Sequence, residues 1–203
     1  MDVIHHDGEL FVAGPDTIAH PWRTPAGQRL TAVRFGPGTA PLILGVAADE
    51  MRDLRVPLAD LWPLKRVRRL TEALDEAADR AAVLEAALQP EDQVPDPVAR
   101  RVVTRLRAGG TVAGIASEVG LSERQLHRRA LFLYGYGLKT LSRILRLNAA
   151  LDLARGGMAF GAVAATAGYA DQAHLAREVK ALAGAPLSVI LGPSGQLPQD
   201  DVA

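Results

Sequence analysis

The chain contains no cysteine. That excludes disulfides, cysteine-rich zinc sites and thiol nucleophiles. Its formal net charge is zero, with 23 Lys+Arg against 23 Asp+Glu, a balance that in a uniform chain would argue against a nucleic-acid binder. It also lacks a long apolar run. The uncharged stretch 156–170 falls between Arg155 and Asp171 and is too short and glycine-rich to span a bilayer, so no membrane association is expected. The opening residues, MDVIHHDGEL, have neither a basic n-region nor an apolar h-region and do not read as a signal peptide. The expected location is the cytoplasm.

What is present is charge segregation. Residues 1–96 hold 10 Lys+Arg and 16 Asp+Glu, and residues 97–203 hold 13 and 7. The halves therefore carry −6 and +6. A basic half beside an acidic one is the footprint of a DNA-binding module fused to something else. At 203 residues the chain has room for one or two domains.

Within the basic half, residues 111–133 (TVAGIASEVGLSERQLHRRALFL) set out two short helices around a turn. Val112–Val119 runs into Gly120, placed where the chain must turn left-handed, and Ser122 is placed to cap the next helix. This is the helix-turn-helix plan, whose second helix enters the DNA major groove. Its outward residues, Arg124, Gln125, His127, Arg128 and Arg129, are suited to reading base edges and gripping phosphates. Residues 160–181 repeat the grammar. Gly168 makes the turn, Asp171 is the expected cap, and Gln172, His174, Arg177 and Lys180 face outward. The two turn glycines lie 48 residues apart. Between the copies, Leu138–Arg155 forms a helix of about 27 Å at ~1.5 Å per residue, with Lys139, Arg143 and Arg146 off its apolar stripe. Such a helix would hold two reading heads close to the ~34 Å that separates successive major grooves on one face.

At these residues the chain resembles the AraC/XylS family of bacterial transcriptional regulators. The matching elements are AxxxGLSxRxLxR in the first copy, the connecting helix, GYADQAHLxRxxKxxAG in the second, and the closing APLSVI. They cover roughly Pro97–Leu191, about half the chain. The resemblance implies base contacts from Arg124, His127 and Arg128 in the first unit and from Gln172, His174 and Arg177 in the second. Gln125 joins the base-reading set from its outward place alone. Arg129, Lys139, Arg143, Arg146 and Lys180 are the expected phosphate contacts. The absent cysteine excludes the methyl-accepting repair proteins that share this DNA-binding module.

The expected fold class is α+β. Residues 1–62 read as a partial β-sandwich or cupin-like sensor, with strands at Asp2–His6, Glu9–Ala13 and residues 29–35, a passage at Ala40–Asp53 and a further segment at Val56–Trp62. Three or four strands cannot close a barrel, so the sensor is expected to be shortened at its N-terminal end. Residues 63–96 read as one dimerisation helix, Leu64–Leu88, and a proline-rich linker. Val67, Leu70, Leu74, Ala77, Ala81, Leu84 and Leu88 make a heptad seam there, which either pairs with a second chain or packs on its own β-domain; its narrowness favours the pairing, and a homodimer is expected. Residues 97–192 form the DNA-binding domain, and 193–203 a tail without periodicity.

His5, His6 and His20, with Asp7 and Glu9, are weighed as a cupin-type metal site, but adjacent strand residues point to opposite faces, so no metal and no cofactor is expected. Trp22, Arg29 and Arg34 are candidates to line the pocket of a small-molecule effector. The residues point to a non-enzymatic regulator that binds double-stranded DNA. The competing class is a cupin-like small-molecule or metal-binding enzyme with an accessory helical domain.

Overall fold

The structure, a computed structural model, describes residues 1–18, 30–89 and 96–191. His20, Trp22, Arg29, most of the proline-rich linker and the tail lie outside the described residues. Among the described residues, 1–16 and 30–138 make one compact unit and 17–18 with 139–191 a second, so the main boundary follows Leu138 and not the proline-rich segment.

The first unit begins with a β-hairpin. β1 (Asp2–His6) and β2 (Glu9–Ala13) pair antiparallel with His6 opposite Glu9. The two-residue connection, Asp7-Gly8, has φ of 50° and 75°. Two consecutive positive φ values match the strand twist, and Asp-Gly adopts them at low cost. β3 (Leu30–Arg34) adds to β1 and β4 (Arg55–Pro57) to β2, giving the antiparallel order β3-β1-β2-β4. Between β3 and β4 comes the short helix α1 (Ala40–Leu44). Strand alternation sends Val3, Leu10 and Val12 to one face, where they are almost fully buried. The α+β class holds in its coarse form. The described strands make one open sheet with helices against this face rather than two facing sheets.

Those helices correct the single long helix expected over Leu64–Leu88. α2 (Leu64–Glu76) stops at Ala77, whose φ/ψ of −75°/135° is extended, and α3 (Arg80–Ala87) starts again behind Asp79, whose carboxylate accepts from the Ala82 N–H. Aspartate competes for backbone donors in a helix interior and stabilises a helix start. Asp79 therefore breaks the run where the stripe is thinnest, at Ala77 and Ala81. Val67, Leu70, Leu74, Leu84 and Leu88 are buried in one core with Val3, Leu10 and Val12, while Ala81 is exposed. These leucines cover their own sheet.

The unit continues with α4 (Pro97–Arg107), α5 (Val112–Glu118) and α6 (Glu123–Tyr134). Asp96 caps α4 by accepting from the N–H groups of Val98 and Ala99. The Tyr134 hydroxyl donates to the Ala99 carbonyl at 2.9 Å, fixing α6 to α4. The last turn of α6 also meets the residues after α1. The Ala48 N–H donates to the Phe132 carbonyl at 2.8 Å, and Arg52 Nε donates to the Gly135 carbonyl at 2.9 Å. Gly135 has a φ of 76°, and a Cβ there would sit 2.3 Å from Pro15 Cγ. The first helix pair is thus built into the sheet unit.

In the second unit, α7 (Leu138–Arg155), α8 (Phe160–Thr166), α9 (Gln172–Ala183) and α10 (Leu187–Ile190) enclose a core of Leu147, Ala150, Leu151, Val163, Tyr169, Leu175, Val179 and Leu187. Among the described residues no helix is long and apolar enough to cross a membrane.

Candidate nucleic-acid interface

The two helix pairs are locally the same object. In the first, the Leu121 N–H donates to the Ala116 carbonyl at 3.0 Å and the Gly120 N–H to Ser117 at 3.2 Å. In the second, 48 residues on, Tyr169 donates to Ala164 at 2.8 Å and Gly168 to Ala165 at 3.3 Å. The glycines have φ of 69° and 76°. These bonds close the end of each first helix over a left-handed glycine. Each second helix then starts behind a capping side chain. The Ser122 hydroxyl accepts from the Gln125 N–H at 3.3 Å, and Asp171 accepts from the His174 N–H at 2.6 Å. Ile115, Ala116 and Leu126 are buried in the first pair and Val163, Ala164 and Leu175 in the second. Phe132, which its place in the sequence marks as core, is instead 46 % exposed on α6.

The expected DNA contacts fall into two groups. Arg124, His127, Arg128, Lys139, Gln172, Arg177 and Lys180 are exposed. Among the described residues no ion pair holds any of the five cations in this group. The His127 ring lies against Gly137, where a Cβ would meet its Cε1 at 3.0 Å. These side chains are available to a ligand.

The second group is held by the protein. Gln125 Oε1 accepts from both the N–H and the hydroxyl of Ser122 at 2.9 Å, completing a capping box. His174 Nδ1 accepts from the Ala170 N–H at 3.3 Å, with its ring edge-on to Tyr169. Arg129 donates from Nε and Nη2 to one Asp96 oxygen, at 3.2 and 2.7 Å. Arg143 makes a two-pronged pair with Glu178 at 2.7 and 3.1 Å. Arg146 lies 3.6 Å from the same carboxylate and over the Tyr169 ring at 4.4 Å. The Arg143 guanidinium, with Arg146 behind it, holds the Glu178 carboxyl below the usual carboxylate range. Arg143 and Arg146 therefore join α7 to α9, and Arg129 joins α6 to α4. A fourth pairing completes the scaffold, with Arg101 and Arg105 of α4 on Glu118 of α5 at 3.3 and 2.7 Å.

The sequence signals for these partners were weak. Asp96 and Arg129 lie 33 residues apart and Arg143 and Glu178 lie 35 apart, beyond any helical spacing rule. In the N-terminal half, His5 is 2 % exposed with its Nε2 3.7 Å from Asp75, and His6 lies 3.8 Å from Asp7. The two histidines point away from each other, as strand alternation requires. Arg34 pairs with Asp2 at 3.0 Å.

Compared with known protein families, residues 115–191 match a family model described as a helix-turn-helix domain. The match runs from the first helix of the first pair to the end of α10 and supports a DNA-binding domain of the AraC type. No curated protein and no solved structure matches the chain.

Proposed function

We propose that the chain is a non-enzymatic transcriptional regulator of the AraC type that reads two adjacent major-groove segments of duplex DNA with α6 and α9. The observation that carries this reading is the duplicated turn, with the same backbone bonds, left-handed glycine and capped second helix in both copies. Each second helix presents exposed cations. Arg124, His127 and Arg128 are the base-edge readers of the first unit and Gln172 and Arg177 those of the second, with Lys139 and Lys180 on phosphates. Arginine is suited to guanine O6/N7 in the major groove, and lysine to phosphate as a point charge. A small-molecule effector acts, in this reading, through the N-terminal part, because Ala48 and Arg52 hold the last turn of α6 there.

The test is selection of bound duplexes from a random pool by the full chain, repeated at low and high salt. An enriched motif with two separated blocks is expected, with affinity falling steeply with salt as counterions are released. Equal retention at both salts, or a pool without enrichment, overturns the reading.

A further inference from the structure

The first turns of α2 carry Lys65, Arg66, Arg68 and Arg69 in five consecutive positions. They stand in the acidic half of the chain. A helix N-terminus bears partial positive charge, so acids are favoured there and cations opposed. α2 nevertheless has no acid in its first turn and no capping side chain on Pro63. Only Arg66 has a structural use, lying over the Trp62 ring at 3.5 Å. Lys65, Arg68 and Arg69 are exposed, and no ion pair holds them among the described residues. With Leu64 and Glu72 they line one shallow groove on the outer side of the helix. The opposite side of α2, Val67, Leu70 and Leu74, is the side that packs into the core. Folding therefore requires none of these three cations, and the helix dipole works against them.

We propose that Lys65, Arg68 and Arg69 form a third, sequence-independent contact to the phosphate backbone of duplex DNA, separate from both helix-turn-helix units. The proposal rests on the DNA-binding reading above. A polyanion is the partner that three unpaired cations fit. Lys65 to Arg69 spans about 6 Å at ~1.5 Å rise per residue, enough for about two phosphates of one strand at ~3.4 Å each. A membrane surface fits less well, because interfacial helices insert an apolar face. The apolar face of α2 is already buried, leaving Leu64 alone outside.

The experiment is a salt titration of binding to a 40-base-pair duplex by the full chain and by the triple variant Lys65→Gln, Arg68→Gln, Arg69→Gln. Each phosphate contact contributes about 0.9 to the slope of log affinity against log salt. The variant is expected to lose roughly 2 from that slope, to bind on the order of tenfold more weakly at low salt, and to do so alike on selected and random sequences. Its thermal midpoint should be unchanged or raised, since cations leave the positive end of a helix. Should the triple variant fail to fold, Arg68→Gln alone must lower the slope by about 1. An unchanged slope in a folded variant overturns the proposal and leaves the helix-turn-helix reading standing. Loss of binding to phosphatidylserine vesicles, with the DNA slope unchanged, reassigns the surface to membranes and also overturns it. If the unmodified chain binds no duplex at any salt, both readings fall.

Discussion

Arg129 reaches from the exposed side of α6 to the Asp96 carboxylate, 2.7 Å from Nη2 to Oδ2, while Asp96 also caps α4. One carboxylate thus fixes the start of one helix and the angle of another. Arg129→Ala removes a charged hydrogen bond and leaves Asp96, 10 % exposed, without its cation. Because the arginine is itself 44 % exposed, the expected loss is about 1 kcal/mol. Chemical denaturation of the variant measures it. The preferred DNA sequence should stay the same, since this guanidinium is turned to the protein.

Arg128, one position earlier, is exposed and without an ion pair among the described residues. Arg128→Ala is expected to cost about 1–3 kcal/mol at the preferred site and to relax base choice there, with stability unchanged. Selection with the variant is the check. An unchanged motif of unchanged strength would remove α6 from the reading role. Arg143→Ala should behave in the opposite way. It breaks the pair with Glu178 and lowers stability, and DNA affinity follows only through the loosened second unit.

The Glu178 pair gives a pH dependence. Its carboxyl is held down chiefly by the hydrogen bonds from Arg143, so the folded state favours the ionised form. The stabilisation is complete above the unfolded value, near 4.5, and fades as pH falls below it towards the lower folded value. The second unit should therefore lose stability on acidification below about pH 4.5, and Glu178→Gln should remove this component while lowering stability at neutral pH. A melting series from pH 7 to pH 3 on both proteins decides it.

The two helix-turn-helix pairs were legible because their signals are local. Gly120 and Gly168 mark the left-handed turns, and Ser122 and Asp171 the helix starts, all within a few residues of what they control. Which cations stay free was not legible, since Arg129, Arg143 and Arg146 are claimed by acids more than 30 residues away. The heptad stripe was ambiguous for a different reason. A narrow row of leucines suits a second helix or a sheet equally, and the spacing alone does not register that Asp79 ends the row's continuity. Trp22, Arg29 and His20, weighed for the pocket and metal readings, lie outside the described residues.

The stripe now makes its own prediction. Leu74 is fully buried among the sheet residues and α3. Leu74→Glu puts an unpaired carboxylate into that core, which is costly. The variant should lose several kcal/mol or fail to fold, instead of yielding folded monomers. Denaturation and sedimentation together distinguish the outcomes. A folded variant with a reduced mass would restore the two-chain seam.

His5 supplies the last test. It is 2 % exposed on β1, and its Nε2 has no hydrogen-bond partner among the described residues. Asp75 at 3.7 Å favours the imidazolium, while Arg80 and His6 oppose it. Burial, the largest influence, outweighs Asp75 and pushes the His5 pKa down. A histidine kept neutral in the fold contributes fully above its unfolded value, near 6.5, and loses that contribution as pH falls through the window below it. The first unit should therefore weaken from about pH 6.5 downward, two pH units before the Glu178 effect begins in the second. His5→Leu replaces a ring whose Nε2 is unpartnered among the described residues with an apolar side chain of similar size. It should be neutral or stabilising at pH 7, because removing an unsatisfied buried nitrogen offsets the change in shape. It should also flatten the stability profile between pH 6.5 and 5. A variant less stable at pH 7, with the slope retained, would mean that the Asp75 contact supports the fold and that another group titrates there.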